Sequence, residues 1–584
     1  MNLAALWAEA LAGGKSEWMA LPGASLSYLD LQQAVRRWCG WFDAAGLAEG
    51  ERVLIRTGDD VVAATGFIAA LLDGVVPVLM TGDTPDLRAL AVTETVGTAA
   101  FAADPGKLPE GRAGIEVGPV TSGSWLSRKV DPLGGLPDKG RDPRLPGDPD
   151  GLAYVLFTSG TTSSPSGVQI TRGNLFANLA TLSRLFDYDA RSRIFNDMIL
   201  AHADGMIQGP VIALANRCAV IRSGGFTLAG MEKWLGRVRQ SRASHIITVP
   251  TIWAMIDAYA AHDDYFDAPE CTHLMSVAAK LPEELWTRLE ARFELPVYNQ
   301  YGLTETVASA LYAGPQAEMG MFGTVGKPVD CEARIDPAAS GNEGELQLRG
   351  AQVFPGYWQD PVRTAQSFTA DGWLKTGDLA RLRDDGSFDI LARIKSVIMM
   401  GGFLIRPDEI DEAMLRHPAV RESVTVGVAD AMFDEVPVTA VVLQEQAGEE
   451  ELTAHARAYL ESQKVPKRIV ALPEIPRGDS GKARLSELRA LMGGAAIGEA
   501  ERPADDGTDL ESQVIALAAE VFRVDPALLS PRSRGGSVPG WDSFSQLNFL
   551  MAAEDRFKVA VPASLVAQIE TIADMVGAIR QLRK

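Results

Sequence analysis

YVLFTSGTTSSPSGV, residues 154–168, joins an apolar run to a tract of hydroxyl-bearing residues and glycines. The apolar run predicts a buried strand. The Thr, Ser and Gly residues that follow offer hydroxyls and free backbone N–H groups, which can surround phosphate oxygens without steric hindrance. An ordinary surface loop has a similar composition, so the stretch alone leaves the two interpretations evenly matched. Phosphate binding by a loop that follows a buried strand is therefore one of two open interpretations.

Strand and helix patterns alternate on both sides of this stretch. RVLIR (52–56), VVAATGFIAALLDG (61–74) and VVPVLM (75–80) predict a strand, a helix and a second strand. Further strands are predicted at AVIR (219–222) and HIITV (245–249). The first two-thirds of the chain is therefore predicted to be a large α/β domain with layered parallel sheets.

The rest of the chain divides by composition. Residues 122–151 are rich in Pro, Gly and charge and are predicted to be a surface connector. Residues 493–509 are small, acidic and proline-rich, which predicts a linker between domains. The apolar residues beyond the linker recur at helical spacing, so the tail is predicted to be all-α. The predicted units are a core subdomain at 1–393, a small mobile α+β subdomain at 394–492, a linker at 493–508 and a helical tail at 509–584.

Composition restricts the class of function. The chain has 584 residues and a formal net charge of −21, which disfavours nucleic acid and anionic membranes as partners. Its four cysteines are far apart, which predicts reduced thiols without a metal or disulfide framework. The first residues lack the pattern of a signal peptide, and no apolar run reaches the roughly 20 residues of a membrane span. These features predict a cytoplasmic enzyme that acts on small molecules.

Five motifs occur in an order that resembles one enzyme family. They are YVLFTSGTTSSPSGV, NQYGLTET, LKTGDLARL, LARIKSVIMMGGFLIRPDEID and PRGDSGKARL. In this order they resemble the adenylate-forming enzymes, which include acyl-CoA synthetases, aryl-acid ligases and the adenylation domains of nonribosomal peptide synthetases. The resemblance covers about residues 26–491. It implies an adenylation domain with a mobile C-terminal subdomain, using ATP and Mg²⁺.

The resemblance also implies a nucleotide site. Tyr301 would offer a flat face for adenine, with Gly302 allowing close approach, and Asp378 would accept the ribose hydroxyls with Arg393 nearby. A core tyrosine and a surface turn are the alternatives for Tyr301 and Asp378. The implied nucleotide-binding residues are Thr158, Ser159, Gly160, Thr161, Thr162, Ala279, Tyr301, Gly302, Thr304, Asp378 and Arg393.

Three residues are implied to take part in catalysis. Thr304 would donate to a phosphate oxygen, and Glu305 would supply a hard carboxylate oxygen to Mg²⁺. Lys482 would bridge the attacking carboxylate and the α-phosphate, where its charge stabilises the displacement of pyrophosphate. Lys395 stands where the family has its hinge, and rotation there would bring Gly401 and Gly402 in to leave a passage for a thiol arm.

The phosphate loop departs from the family pattern SGTTGxPKG. Ser163 replaces the glycine and Ser166 replaces the lysine. Since that lysine would contact the β- and γ-phosphates without doing the chemistry, we expect weaker ATP binding with the reaction retained.

The change Ser166→Lys should therefore lower the KM for ATP while changing kcat little. Initial rates over a range of ATP concentrations measure both constants. A collapse of kcat in this variant would contradict the interpretation.

The acid pocket is expected at LAHADGMIQG, residues 200–209. Its HxxG form resembles acyl and aryl ligases more than the FDxS form of amino-acid adenylation domains, in which the aspartate pairs with an α-ammonium group. The aligned position is Ala203, which favours an acid without an α-amine, although a local shift could bring Asp204 into that role. The expected pocket residues are His202, Ala203, Asp204 and Gly205.

The tail contains a second motif, VPGWDSFSQLNFL, with Asp542 and Ser543 directly before an amphipathic helix. An ordinary N-cap serine is the alternative. The motif resembles the attachment site of acyl and peptidyl carrier proteins, which implies 4′-phosphopantetheine on Ser543, added by a phosphopantetheinyl transferase. The acidic and basic residues of the tail nearly balance, which favours secondary metabolism over fatty-acid synthesis.

The combined prediction is a loading didomain for secondary-metabolite biosynthesis. It would activate a small carboxylic acid with ATP, transfer the acyl group to its own tethered thiol, and pass the thioester to a downstream enzyme. The alternatives are an acid–CoA ligase with a vestigial carrier, an amino-acid-specific adenylation–carrier didomain, and a non-catalytic adenylate-binding protein.

Overall fold

The structure is a computed structural model, and it describes most of the chain. The described residues are 2–109, 113–122, 129–158, 166–279, 281–338, 341–394, 398–400, 403–405, 407–430, 433–476, 485–493, 510–522, 524–535, 538, 541, 543–557, 559, 561–562, 565 and 569–583.

The described strands and helices are numbered in chain order. The strands are β1 Glu17–Leu21, β2 Ala24–Ser27, β3 Arg52–Thr57, β4 Val76–Thr81, β5 Ala100–Ala103, β6 Gly114–Glu116, β7 Gly118–Ser122, β8 Lys129–Gly134, β9 Leu152–Thr158, β10 Ser166–Thr171, β11 Arg193–Asn196, β12 Ala219–Ile221, β13 His245–Thr248, β14 His273–Ser276, β15 Val297–Tyr301, β16 Leu311–Ala313, β17 Lys327–Pro328, β18 Cys331–Ile335, β19 Glu343–Gly350, β20 Gly356–Tyr357, β21 Leu374–Leu382, β22 Phe388–Arg393, β23 Ile398–Met400, β24 Phe403–Ile405, β25 Val420–Asp430, β26 Asp434–Leu443 and β27 Arg468–Ala471. The helices are α1 Leu3–Gly13, α2 Tyr28–Ala44, α3 Asp60–Asp73, α4 Asp86–Val96, α5 Arg172–Leu185, α6 Ala203–Met206, α7 Ile212–Asn216, α8 Met231–Gln240, α9 Pro250–Tyr259, α10 Glu283–Phe293, α11 Pro361–Ser367, α12 Pro407–Leu415, α13 Glu449–Tyr459, α14 Leu485–Gly493, α15 Leu510–Phe522, α16 Ser543–Phe557 and α17 Ile572–Leu582.

Two large sheets form the N-terminal α/β domain. One has seven strands in the order β20-β10-β9-β4-β3-β5-β6, and the other has nine in the order β17-β16-β15-β14-β13-β11-β12-β1-β2. Their central strands are parallel, as predicted, but β10 and β16 run antiparallel to the strands before them. The sheets are therefore mixed, because the short segments that connect these pairs cannot hold a crossover helix.

The predicted strand–helix–strand unit is present as β3, α3 and β4. Asp59 caps α3 by accepting hydrogen bonds from the backbone N–H groups of Val61 and Val62. Every residue from Val61 to Asp73 is buried, so α3 lies within the hydrophobic core. The predicted strands at 219–222 and 245–249 are present as β12 and β13.

The segment predicted to be a surface connector is packed onto the domain instead. It contains β8, which pairs with β7, and Leu133 and Leu136 are buried. Arg37 of α2 donates to the carbonyl oxygens of both leucines, and Arg141 and Arg144 donate to the fully buried carboxylate of Asp73. These partners are distant in sequence, so local composition did not reveal the packing.

Two buried histidines stack on neighbouring parallel strands. The rings of His245 in β13 and His273 in β14 lie 4.3 Å apart, and His273 also stacks on Tyr298. Desolvation lowers the pKa of His245 to about 3, with the neighbouring His273 adding to the shift, and burial lowers the pKa of His273 to about 4. The fold therefore holds both rings neutral.

This pair should make the protein sensitive to acid. Because both pKa values fall on folding, the stabilisation is complete above about pH 6.5 and is lost as the pH falls toward 4, at roughly 5 kcal/mol for the two groups together. Urea unfolding at pH 7, 5.5 and 4 measures this slope. The variant His245→Gln should show a shallower slope than the wild type, and an unchanged slope would contradict the assignment.

A smaller α+β lobe follows the N-terminal domain. Its sheet has the strand order β24-β23-β26-β25, with β27 pairing to β26, and helices α12 and α13 pack beside it. Beyond residue 509, α15, α16 and α17 pack on one another around their own hydrophobic cluster. None of the described helices has the length and hydropathy needed to cross a membrane.

Candidate active site

The predicted nucleotide site lies where β15 meets the smaller sheet β18-β19-β21-β22. Tyr301, the last residue of β15, donates its hydroxyl hydrogen to Asp378 Oδ2 at 2.5 Å. Asp378 belongs to β21 and is 2% exposed. This contact brings together two residues that are 77 positions apart. The ring of Tyr301 and the carboxylate of Asp378 therefore belong to one site.

Hydrogen bonds in β21 and β19 fix the position of Asp378. Thr376 Oγ1 accepts from the Asp378 backbone N–H and donates to the Leu346 carbonyl oxygen. Gly377, which has a φ of +73°, donates its N–H to the Glu345 carboxylate. Across the sheet, Asp378 pairs with Arg393 in β22, as the predicted proximity of these two residues requires.

The loop after Tyr301 folds back on itself. The Ala310 N–H donates to the Tyr301 carbonyl oxygen, and a Cβ atom on Gly302 would lie 1.9 Å from the Ala308 carbonyl oxygen. Within this loop, Val307 is fully buried and has a φ of +69°, which is strained for a β-branched residue. Thus Gly302 is required by the loop itself, and the loop holds Thr304 and Glu305 in one conformation.

Glu305 is held by a residue that the sequence did not indicate. The Tyr357 hydroxyl donates to Glu305 Oε1 at 2.7 Å, and the Phe354 N–H donates to the Glu305 carbonyl oxygen at 2.9 Å. Burial, with the neighbouring Glu305 charge, raises the pKa of Tyr357, so the phenol stays protonated and can donate. These two hydrogen bonds restrict both the carboxylate and the main chain of Glu305.

A second strained residue lies at the end of the neighbouring strand β14. Ala278 has a φ of +67°, and Ala279 donates its N–H to the Val277 carbonyl oxygen. Strained backbone in the loops that follow two adjacent parallel strands is typical of a binding site. Ala279 therefore lies at the same edge of the sheet as Tyr301, where the nucleotide was predicted.

Several predicted residues lie outside the described part of the chain. β9 ends at Thr158 and β10 begins at Ser166, and these two residues pair across the hairpin, so the loop follows a strand as predicted. The predicted residues outside the described ranges are Ser159, Gly160, Thr161, Thr162, Lys395, Gly401, Gly402 and Lys482.

The residues predicted to line the acid pocket lie at the start of α6. His202 directly precedes this helix, and the surrounding protein lowers its pKa, mainly by desolvation. Gly205 is buried, and a Cβ atom there would lie 2.2 Å from the Ile199 carbonyl oxygen. This contact gives a structural reason for the glycine of the HxxG pattern.

Asp204 has a partner of its own within α6 and the turn that follows. Gln208 Nε2 donates to Asp204 Oδ1 at 2.8 Å. Desolvation raises the pKa of Asp204 to about 6, with the hydrogen bond from Gln208 opposing the shift. Ala203, the position aligned with the amine-binding aspartate, carries no charge.

Comparisons with known proteins agree with this arrangement. The profile of the family described as "AMP-binding enzyme" matches residues 8–358, and that of the "AMP-binding enzyme C-terminal domain" matches residues 409–482. Sulfoacetate–CoA ligase of Cupriavidus necator is 36% identical over 354 residues, which are 59% of this chain and 68% of that protein.

A relative and a solved structure extend the similarity to both lobes. Feruloyl-CoA synthase of an Amycolatopsis species is 28% identical over 489 residues, covering 81% of this chain and 95% of that protein. A malonyl-CoA ligase structure, a ternary product complex with methylmalonyl-CoA and AMP bound, is 27% identical with a TM-score of 0.67, covering 80% of this chain and 98% of the other. The chain therefore belongs to the AMP-binding enzyme family and is an ATP-dependent, AMP-forming acid ligase.

Proposed function

We propose that this ligase loads a small carboxylic acid onto a pantetheine thiol carried by its own helical tail. The main support for the proposal is a pair of observations. Ser543 is the first residue of α16, and the helical unit that contains α16 packs against the large domain. Leu228 and Met255 of the large domain are buried in the same hydrophobic cluster as the tail residues. The tail is thus placed beside the domain that would supply its acyl group.

A polar contact joins the tail to the small lobe as well. Arg457 of α13 donates to the carbonyl oxygen of Phe522, the last residue of α15, at 3.3 Å. A cation at a helix C-terminus is favourable because the helix dipole leaves partial negative charge there. The tail therefore contacts both lobes, as expected of a domain that receives a product from between them.

The first half-reaction would use the residues of the candidate site. Tyr301 would pack against adenine, Asp378 would accept the ribose hydroxyls, and Glu305 would hold Mg²⁺ against the phosphates. The substrate carboxylate would attack the α-phosphate of ATP and release pyrophosphate, with Lys482 stabilising the charge that develops. The strained loop around Val307 keeps Thr304 and Glu305 placed before ATP arrives.

The second half-reaction would follow a rotation of the small lobe about Lys395. Gly401 and Gly402 would then border the passage to the acyl-adenylate. Ser543 would hold the pantetheine group, which would supply the thiol that accepts the acyl group, with AMP and a proton as the other products. The linker of residues 493–508 would keep the concentration of this thiol high at the site.

We infer that the acid has no α-amine. Two features support this: Ala203 offers no charge to an ammonium group, and Asp204 is already hydrogen-bonded to Gln208. His202 would then be the polar group that borders the acyl chain. An amino-acid substrate would instead require Asp204 to turn toward the predicted acid pocket.

Intact-protein mass spectrometry tests the proposal. The chain is first given its pantetheine group by a transferase and is then incubated with ATP, Mg²⁺ and a panel of acids that includes amino acids. The expected result is a mass increase on the Ser543 peptide for one class of acids without an α-amine. No acyl mass with any acid would refute the loading function.

A second candidate function is an acid ligase that uses free CoA. Relatives such as sulfoacetate–CoA ligase favour it. With free CoA present, the enzyme that carries no pantetheine on Ser543 would then form acyl-CoA as fast as the enzyme that carries it. No acyl group would be found on the tail. Chromatography of the same reactions with free CoA added separates the two candidates.

A further inference from the structure

Four charged side chains meet where the small lobe rests on the large domain. Arg88 of α4 contacts Glu409 of α12, with Arg88 Nη1 at 2.5 Å from Glu409 Oε1, and lies near Glu461, with Nε at 3.3 Å from Glu461 Oε1. Lys464 Nζ lies 3.2 Å from Glu409 Oε1 and 2.8 Å from Glu461 Oε2. We call Arg88, Glu409, Glu461 and Lys464 the interlobe quartet.

The quartet is shielded from water and balanced in charge. The side chains of Arg88, Glu409, Glu461 and Lys464 are 15%, 12%, 21% and 6% exposed. Two cations and two carboxylates leave no net charge. In such shielded surroundings the loss of one partner is unfavourable, because it leaves the opposite charge buried and unpaired.

Only Arg88 comes from the large domain. Without it, Glu409 and Glu461 would share the single cation of Lys464, and the small lobe would carry an excess negative charge against the large domain. Pairing with Arg88 therefore specifies one orientation of the small lobe on the large domain.

We propose that Arg88 is a positioning residue: by pairing with Glu409 and Glu461 it anchors the small lobe in the orientation that serves one of the two half-reactions. The ion pairs with Glu409 and Glu461 define this one orientation, and a rotation of the small lobe would break them. The separation into two half-reactions rests on the proposed function. Arg88 contacts neither substrate, so its effect passes through the position of the lobe.

Kinetics of the separate half-reactions test this role. The two half-reactions are measured as acid-dependent ATP–pyrophosphate exchange and as acyl transfer from preformed acyl-adenylate. The variants Arg88→Gln and Glu409→Gln should slow one of them by about a hundredfold, as expected when reacting groups are misplaced, and should leave the other within about twofold. The double variant should be no slower than either single variant, because each single change already breaks the Arg88–Glu409 pair and leaves one unbalanced charge, whereas the double change removes one charge of each sign. Arg88→Lys should restore much of the rate.

The matched control is Arg36→Gln, which removes an ion pair with Asp142 inside the large domain, at 2.7 Å. It should alter neither half-reaction. Equal losses in both half-reactions for Arg88→Gln, or additive losses in the double variant, would overturn the proposal.

A readout that needs no catalysis complements the kinetics. In Arg88→Lys the new amine lies beside two carboxylates, so a zero-length carbodiimide should join the peptide of position 88 to that of Glu409 or Glu461. Peptide mass spectrometry detects this link, and its absence would refute the pairing. If the wild type forms no thioester with any acceptor, the proposed function fails, while the cross-link still decides whether Arg88 anchors the lobe.

Discussion

Exchange of Ser543 for alanine is expected to abolish every protein-bound acyl thioester, while acid-dependent ATP–pyrophosphate exchange persists. The reason is that the serine hydroxyl would be the only point at which the tail carries its thiol arm, whereas adenylation takes place on the large domain. Intact mass spectrometry after pantetheine transfer and incubation with ATP and acid measures the loss.

Ser545→Ala is the matched control, because it removes a hydroxyl two residues further along α16. This variant should load as the wild type does. Acylation of Ser543→Ala elsewhere in the chain would contradict the assignment of the attachment site. Formation of acyl-CoA by Ser543→Ala at the wild-type rate would favour the free-CoA ligase instead.

The second large effect is expected for Asp378→Asn. This variant should lower kcat/KM for ATP about a hundredfold, because hydrogen bonds to a charged acceptor contribute roughly 1.5–3 kcal/mol each and Asp378 would accept two from ribose. The Asp378 side chain is buried, and Thr376 fixes the backbone of Asp378, so water should not compensate for the replacement. Initial rates of pyrophosphate exchange over a range of ATP concentrations measure the effect.

Two further variants define the origin of the loss. Tyr301→Phe removes the hydroxyl that donates to Asp378 but keeps the aromatic face, so we expect a smaller loss, about tenfold or less. Asp389 lies on the adjacent strand β22 and pairs with Arg383. The variant Asp389→Asn should therefore change kcat and the KM for ATP little. Equal losses for Asp378→Asn and Asp389→Asn would indicate general damage to the sheet.

Local sequence patterns predicted much of the architecture. The alternation of β-branched runs and helical spacing placed β3, α3, β4, β12 and β13 correctly, because each of these elements is specified by its own residues. The same reasoning placed β9 directly before the predicted phosphate loop. The prediction of parallel sheets was wrong for β10 and β16, which run antiparallel to the strands before them. The direction of a strand depends on the connection that precedes it rather than on its local sequence pattern.

The remaining features arise from contacts between distant residues. Tyr357 orients Glu305 across 52 positions, and Asp73 accepts from arginines about 70 positions away. The pairing of Arg88 with Glu409 spans 321 positions. No window of sequence contains both members of these pairs, so each side chain by itself is indistinguishable from a solvated surface residue.

The arginine contacts of residues 129–150 have a consequence for engineering. This segment joins β8 to β9, and through Arg141 and Arg144 it is tied to Asp73 at the end of α3. A chimera that exchanged the region before residue 122 for that of a relative would separate these ions from their counter-ions. Recombination between homologues should therefore succeed more often when the crossover point lies beyond Gly151 than when it lies between Asp73 and Arg144.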